Sequence, residues 1–257
     1  MNNKSIGFFD SGIGGITILN SIIKLLPNEN TIYLADSINS PYGTKSNEEL
    51  IKICKKNVEF LINSGCKLIV IACNTATTNS ISYLRQNYKI PFIGIEPAIK
   101  PAALNTKTGK IGVLATNGTL GSNLFEKTST LHGQNIEIIE KQVNGLVELI
   151  EKGIFSGSKI DILLEKYITP MINIGIDKLV LGCTHYPLVI NSIEKITKKK
   201  IEVLECSHPV ALQTKKILCS LNLENLEKTE IKNIFYTNGN DNILKAMLDE
   251  KFEIFKI

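Results

Sequence analysis

Lys67-Leu68-Ile69-Val70-Ile71-Ala72-Cys73-Asn74-Thr75 and Lys178-Leu179-Val180-Leu181-Gly182-Cys183-Thr184-His185 are two versions of one phrase, with their cysteines 110 positions apart. Each is a short apolar run, then a small residue, then Cys followed by hydroxyl, amide or imidazole side chains. A parallel strand buried on both faces requires such a run, and α/β proteins place ligands at the C-terminal ends of these strands. Two thiols delivered by equivalent strand ends can face one substrate from opposite sides. That geometry suits a reaction that needs an acid and a base of the same kind.

Around the first phrase, strands and helices alternate. Ile6-Gly7-Phe8-Phe9 reads as a strand, residues 16–26 as a helix ended by Pro27, and Thr31-Ile32-Tyr33-Leu34-Ala35 as a second strand. Residues 47–64 form a helix, with Ser46 as its cap and Glu48 and Glu49 in its first turn. A helix over 78–87 and a strand over 92–95 follow the first cysteine. This order predicts a parallel sheet with right-handed crossovers. Lys110-Ile111-Gly112-Val113-Leu114 then restarts the pattern: Gly112 follows Gly7 by 105 positions, close to the offset of the cysteines. The expected fold is therefore α/β, with two pseudosymmetric doubly wound domains, mainly parallel sheets and a site in the cleft between them. Pro97 and Pro101 flank a crossover between the domains, and the chain returns near Pro209. Residues 231–236 read as a strand and 242–248 as a closing helix. The first domain is expected to hold 1–97 and 208–257, and the second 98–207.

An apolar fraction of 43% and a charged fraction of 21% over 257 residues are those of a soluble globular protein. The formal charge of +4 is scattered. Lys198-Lys199-Lys200 is the one tight run and reads as a solvated loop or helix end, so no nucleic-acid partner is expected. No stretch approaches the roughly 20 apolar residues that span a bilayer, and the first residues lack a signal-peptide core, which points to the cytoplasm. The six cysteines (Cys54, Cys66, Cys73, Cys183, Cys206 and Cys219) lack CxxC spacing, so no metal site is expected and the thiols are read as reduced. Arg85 is the only arginine, so no clamp of several guanidinium forks is expected for a substrate carboxylate. Backbone N–H groups, hydroxyls and amides at helix N-termini are the available substitute.

Three further segments carry polar residues at strand ends. Asp10-Ser11-Gly12-Ile13-Gly14-Gly15 departs from GxGxxG, and reads either as a helix cap or as a tight turn whose amides bind a small anion. Asp36-Ser37 and Pro41-Tyr42-Gly43 form a turn in which Tyr42 and the Gly43 amide can line a polar pocket. Isolated buried cysteines are usually structural, but Cys73 and Cys183 both end strands and precede polar residues. Both are expected at helix N-termini, where the dipole lowers a thiol pKa. His185, two positions after Cys183, can polarise that thiol.

Asp10 to Gly15, Pro41-Tyr42-Gly43, Cys73-Asn74-Thr75-Ala76-Thr77 and Gly182-Cys183-Thr184-His185-Tyr186-Pro187-Leu188, in this order and spacing, resemble the glutamate racemases of bacterial cell-wall synthesis. The resemblance covers about residues 6–211. It implies a cofactor-independent, homodimeric racemase that acts on glutamate, one cysteine removing the α-proton while the other protonates the opposite face. Carried over, it makes Cys73 and Cys183 the acid/base pair, with Asp10 assisting Cys73 and His185 assisting Cys183. Asp10, Ser11, Tyr42, Gly43, Asn74, Thr75, Thr184 and His185 would bind substrate. Glu151 matches the family's auxiliary acid, with Glu148 as a competitor. Glu205-Cys206 stands where the family has Asp-Ser, a change expected to affect domain packing more than chemistry.

The chemistry agrees with that resemblance. A thiol titrating near 8.5 is a weak base for an α-proton, so hydrogen bonds to the substrate carboxylate in a desolvated cleft must stabilise the developing carbanion. Pyridoxal phosphate would need a Schiff-base lysine beside a phosphate cradle, and no convincing pairing of the two is present. An aspartate racemase, a non-catalytic small-molecule-binding protein and a redox or metal protein using Cys73, Cys183 and His185 remain as rival readings.

Overall fold

Phe8, Phe9, Val70 and Ile71 are shielded from water on both faces of their strands, as unbroken apolar runs demand. The computed structural model describes residues 3–226, 230–248 and 252–257. Its strands are β1 (Ile6–Asp10), β2 (Thr31–Ala35), β3 (Leu68–Ile71), β4 (Phe92–Ile93), β5 (Lys110–Ala115), β6 (Glu137–Gln142), β7 (Lys178–Gly182), β8 (Glu202–Leu204), β9 (Asn233–Thr237) and β10 (Phe252–Lys256). They form one sheet in the order β10-β9-β2-β1-β3-β4 and another in the order β6-β5-β7-β8. Every described pairing is parallel.

Helices α1 (Ile16–Leu25), α2 (Asn47–Asn63), α3 (Asn74–Asn87) and α4 (Ile99–Asn105) follow the first four strands. α5 (Asn117–Leu120) and α6 (Asn123–His132) lie between β5 and β6, and α7 (Leu146–Ile150) and α8 (Ser158–Ile174) between β6 and β7. α9 (Ile190–Thr197), α10 (Ser207–Ser220) and α11 (Asn242–Met247) precede β8, β9 and β10. The chain thus passes between the sheets twice, once through α4 and once through α10, and α10 packs against α1. One apolar cluster joins Ile13, Ile16 and Leu19 of the first half to Val147, Ile150 and Tyr186 of the second.

The β2-β1-β3-β4 order repeats as β6-β5-β7-β8. In each half the strand order reverses at the central pair, β1/β3 or β5/β7, which opens a crevice at the strands' carboxyl ends. Cys73 and Cys183 lie just past β3 and β7. The lysines that lead the two phrases are paired at the opposite end: Lys67 with Glu29 at 2.5 Å, both buried, and Lys178 with Glu202.

Local chemistry shifts several boundaries. Ser46 caps α2, its Oγ accepting the Glu49 N–H at 3.2 Å. α3 starts at Asn74, not at 78, because Asn74, Thr75, Ala76 and Thr77 bury their side chains in the first turn and packing overrides their weak helix propensity. The strand expected over 92–95 ends at Ile93, beyond which a Cβ on Gly94 would strike Ile81 and Thr77. Cys183 is followed not by an α-helix but by a 3-10 turn, Tyr186–Val189, containing Pro187; α9 begins only at Ile190. Glu205 accepts the backbone N–H and hydroxyl of Ser207, so it fixes the start of α10, while Cys206 is buried in the shared core.

Candidate active site

The turn after β1 is built around two carboxylates. Asp10 Oδ2 accepts the Gly15 N–H at 2.7 Å, and Glu151 Oε1 accepts the Ile13 N–H at 2.9 Å. The anion that the glycine-rich turn was expected to bind is thus supplied by the chain itself. A Cβ on Gly12 would lie 1.9 Å from Glu151 Oε1, and one on Gly14 2.4 Å from His185 Nδ1. Only glycine lets this turn of the first half approach those two side chains of the second half.

On the Cys73 side, Ala76 N–H points at Sγ from 3.5 Å. Helix position does not lower this thiol's pKa. Burial pushes it well above the ordinary value and the nearby Asp10 charge adds to that, outweighing the Ala76 N–H. Burial also raises the Asp10 carboxyl to about 6, against the lowering influence of His185 and the Gly15 N–H. Its Oδ1 has no hydrogen-bond partner in the protein.

On the Cys183 side the neighbour is an imidazole. Cys183 Sγ is 3.7 Å from His185 Nδ1, and His185 Nε2 is 2.5 Å from Glu151 Oε1. Burial works against the charged ring, but its bonds to Cys183 and Glu151 prevail and hold the His185 pKa well above its usual value. Glu151, not Glu148, touches the histidine; Glu148 lines an adjoining pocket with Gln142 and Asn144.

Ser11, Tyr42, Gly43, Cys73, Asn74, Thr75, Cys183, Thr184 and His185 line one pocket between the halves. Both polar atoms of the Asn74 amide are buried in its wall without a protein partner. Among the described residues, no group of three or more His, Cys, Asp and Glu side chains is arranged to hold a metal. No described helix is long and apolar enough to cross a membrane. Chemically, the arrangement offers a thiol with a carboxylate on one wall, a thiol with an imidazole on the other, and uncharged donors between.

A model of the Asp/Glu/hydantoin racemases matches residues 15–210. The chain belongs to this family. Within it, the chain is 40% identical over 257 residues to the glutamate racemase of Clostridium botulinum (strain Kyoto / Type A2), covering 100% of this chain and 99% of that one. A Bacillus anthracis glutamate racemase superposes with a TM-score of 0.88 at 30% identity, covering 100% and 98% of the two chains. Escherichia coli glutamate racemase, solved with L-glutamate and the activator UDP-MurNAc-Ala, gives a TM-score of 0.88 at 28% identity and 98% and 97% coverage. This racemase is an enzyme, and the glutamate racemases are the relatives it matches along its whole length.

Of the site residues read from the racemase sequence, all but Asp10 and Glu151 line the pocket between the halves; Asp10 holds the turn after β1 and Glu151 touches His185. The Tyr42 hydroxyl donates to Asp36 Oδ2 at 2.6 Å and lies 2.9 Å from the Asn57 amide, so it holds its loop at the edge of the pocket. Pro41, Thr116 and Val147 also line the pocket and were missed. The internal repeat carried a signal for Thr116: it follows β5 as Ser11 follows β1.

Proposed function

We propose that this racemase interconverts L- and D-glutamate without a cofactor, using Cys73 and Cys183 as the two acid/base groups. The observation that carries this reading is two cysteines at equivalent strand ends lining one pocket. One thiolate removes the α-proton; the electron pair delocalises into the α-carboxylate, and the other thiol delivers a proton to the opposite face. Asp10 takes up and returns the proton of Cys73, and the His185–Glu151 pair serves Cys183 in the same way. Ser11, Asn74, Thr75, Thr184 and the Gly43 backbone bind the ammonium and carboxylate groups, and Tyr42 keeps that loop in place. Each positioned proton-transfer group contributes on the order of 10²–10⁴ in rate. The fold divides accordingly into 1–97 with 208–257 and 98–207, closing on the substrate between them. In the cell the enzyme supplies D-glutamate for peptidoglycan from the cytoplasm, as a homodimer.

The test is racemisation of each glutamate enantiomer in D₂O without added cofactor. Wild type should exchange the α-proton for solvent deuterium, and Cys73→Ala and Cys183→Ala should each lose turnover by about 10³-fold or more. Exchange of aspartate alone would move the substrate assignment. An inert wild type would leave a binding protein.

A further inference from the structure

Thr75, Thr116 and Thr119 bring three hydroxyls together where the halves meet. Thr75 Oγ1 is 2.8 Å from Thr116 Oγ1 and 3.2 Å from Thr119 Oγ1, and Thr116 and Thr119 are 3.2 Å apart. Thr75 lies in the first turn of α3 and Thr116 follows β5, and both line the pocket. Thr119 is fully buried and is not part of the pocket wall. The backbone around the ring is held independently of it: the Asn79 amide donates to Thr75 O and to Gly118 O, each at 2.8 Å.

We infer that Thr119 is a positioning residue for the substrate, supplying the proton that lets Thr75 and Thr116 both point at a bound carboxylate. This rests on the racemase reading of the same pocket. Three hydroxyls own three protons, so the closed ring has one for each contact. When a carboxylate enters, Thr75 and Thr116 turn their protons toward it, because charge-assisted bonds are about twice as strong as neutral ones. That leaves two oxygens 2.8 Å apart with no proton of their own between them. Thr119, equidistant at 3.2 Å, donates into that gap. Without its hydroxyl, one of the two threonines must keep its proton in the ring, and the carboxylate loses a donor. That carboxylate is the substrate's side-chain one, which takes up none of the carbanion's charge, so the loss falls on ground state and transition state alike and appears in KM and not in kcat.

The experiment is steady-state racemisation of glutamate by wild type, Thr119→Val and Thr119→Ser, with thermal melting of each. Valine keeps the shape and removes the hydroxyl; serine restores the hydroxyl and removes the methyl. Thr119→Val should raise KM about tenfold with kcat within about threefold, the size expected for one lost bond to a charged group. Thr119→Ser should return KM to within about twofold of wild type even if its melting temperature falls. If valine does not fold, Thr119→Ala against Thr119→Ser makes the same comparison. An unchanged KM without the hydroxyl, a serine variant as impaired as valine, or a loss confined to kcat would each overturn the inference while the racemase reading stands. A wild type that does not turn over glutamate overturns that reading and this inference together.

Discussion

Cys73 and Cys183 hold the same position in two copies of one unit, yet their surroundings differ. Cys73 opens a 14-residue α-helix and has a buried carboxylate for company. Cys183 precedes a 3-10 turn and faces an imidazole backed by Glu151. The repeat places the two thiols at equivalent strand ends, while their neighbours make the two walls unlike in charge. At neutral pH one wall carries an anionic partner and the other a cationic one. On the proposed mechanism, the two half-reactions use unlike proton reservoirs around like acids.

Removing either reservoir should break that comparison most visibly. Asp10→Asn and His185→Asn should each lower kcat/KM about 10²-fold or more. Because the enantiomers have equal free energy, the loss must be the same in both directions. The asymmetry should surface in isotope effects. With α-deuterated substrates, Asp10→Asn should enlarge the primary effect for one enantiomer, and His185→Asn for the other. Identical isotope patterns in the two variants would mean that the partners are interchangeable.

The pH dependence sharpens the comparison on one wall. On the proposed mechanism, Asp10, raised to about 6, must be ionised to draw the proton from Cys73. In wild type, kcat/KM should fall about tenfold per pH unit below about 6. In Asp10→Asn this acid limb should be missing, and its persistence there would place the titrating group elsewhere.

Stability should separate the walls by sign. Asp10 has a raised folded pKa, so the native state holds a proton that the unfolded chain releases near pH 4. Stability therefore drains away as pH rises from about 4 to about 6. Asp10→Asn should be more stable than wild type by up to about 3 kcal/mol above pH 6, a gain that vanishes toward pH 4. His185 is also raised, and its contribution is present in full below about 6.5 and lost as pH climbs through its higher folded value. His185→Asn should destabilise, by about 1–3 kcal/mol from the bond left unmade to Glu151, and more at pH 6 than at alkaline pH. Urea unfolding at several pH values reads both.

The sheets were legible because a strand buried on both faces leaves an unbroken apolar run, and Leu68–Ile71 and Lys178–Gly182 are such runs. β6 left no comparable trace, since its Glu137–Gln142 segment is half exposed and carries charge along its length. The cysteines could be found from the repeat, but the acidity of Cys73 could not. A strand end followed by polar residues suggests helix-dipole activation, whereas the pKa of Cys73 is governed by its burial and by Asp10, 63 positions earlier in the chain. The purpose of the Tyr42 hydroxyl was hidden for the same reason: its bonds to Asp36 and Asn57 depend on how three separate segments meet. Thr119 has no exposed surface and only its hydroxyl contacts give it meaning.

The chain crosses between the two halves twice, through α4 and again through α10. A single tether is a swivel, but two tethers define an axis. Halves joined in this way can open like a book along its spine, while sliding and twisting out of alignment are resisted. Any opening that admits or releases a small molecule would therefore bring the two thiols back to the same page.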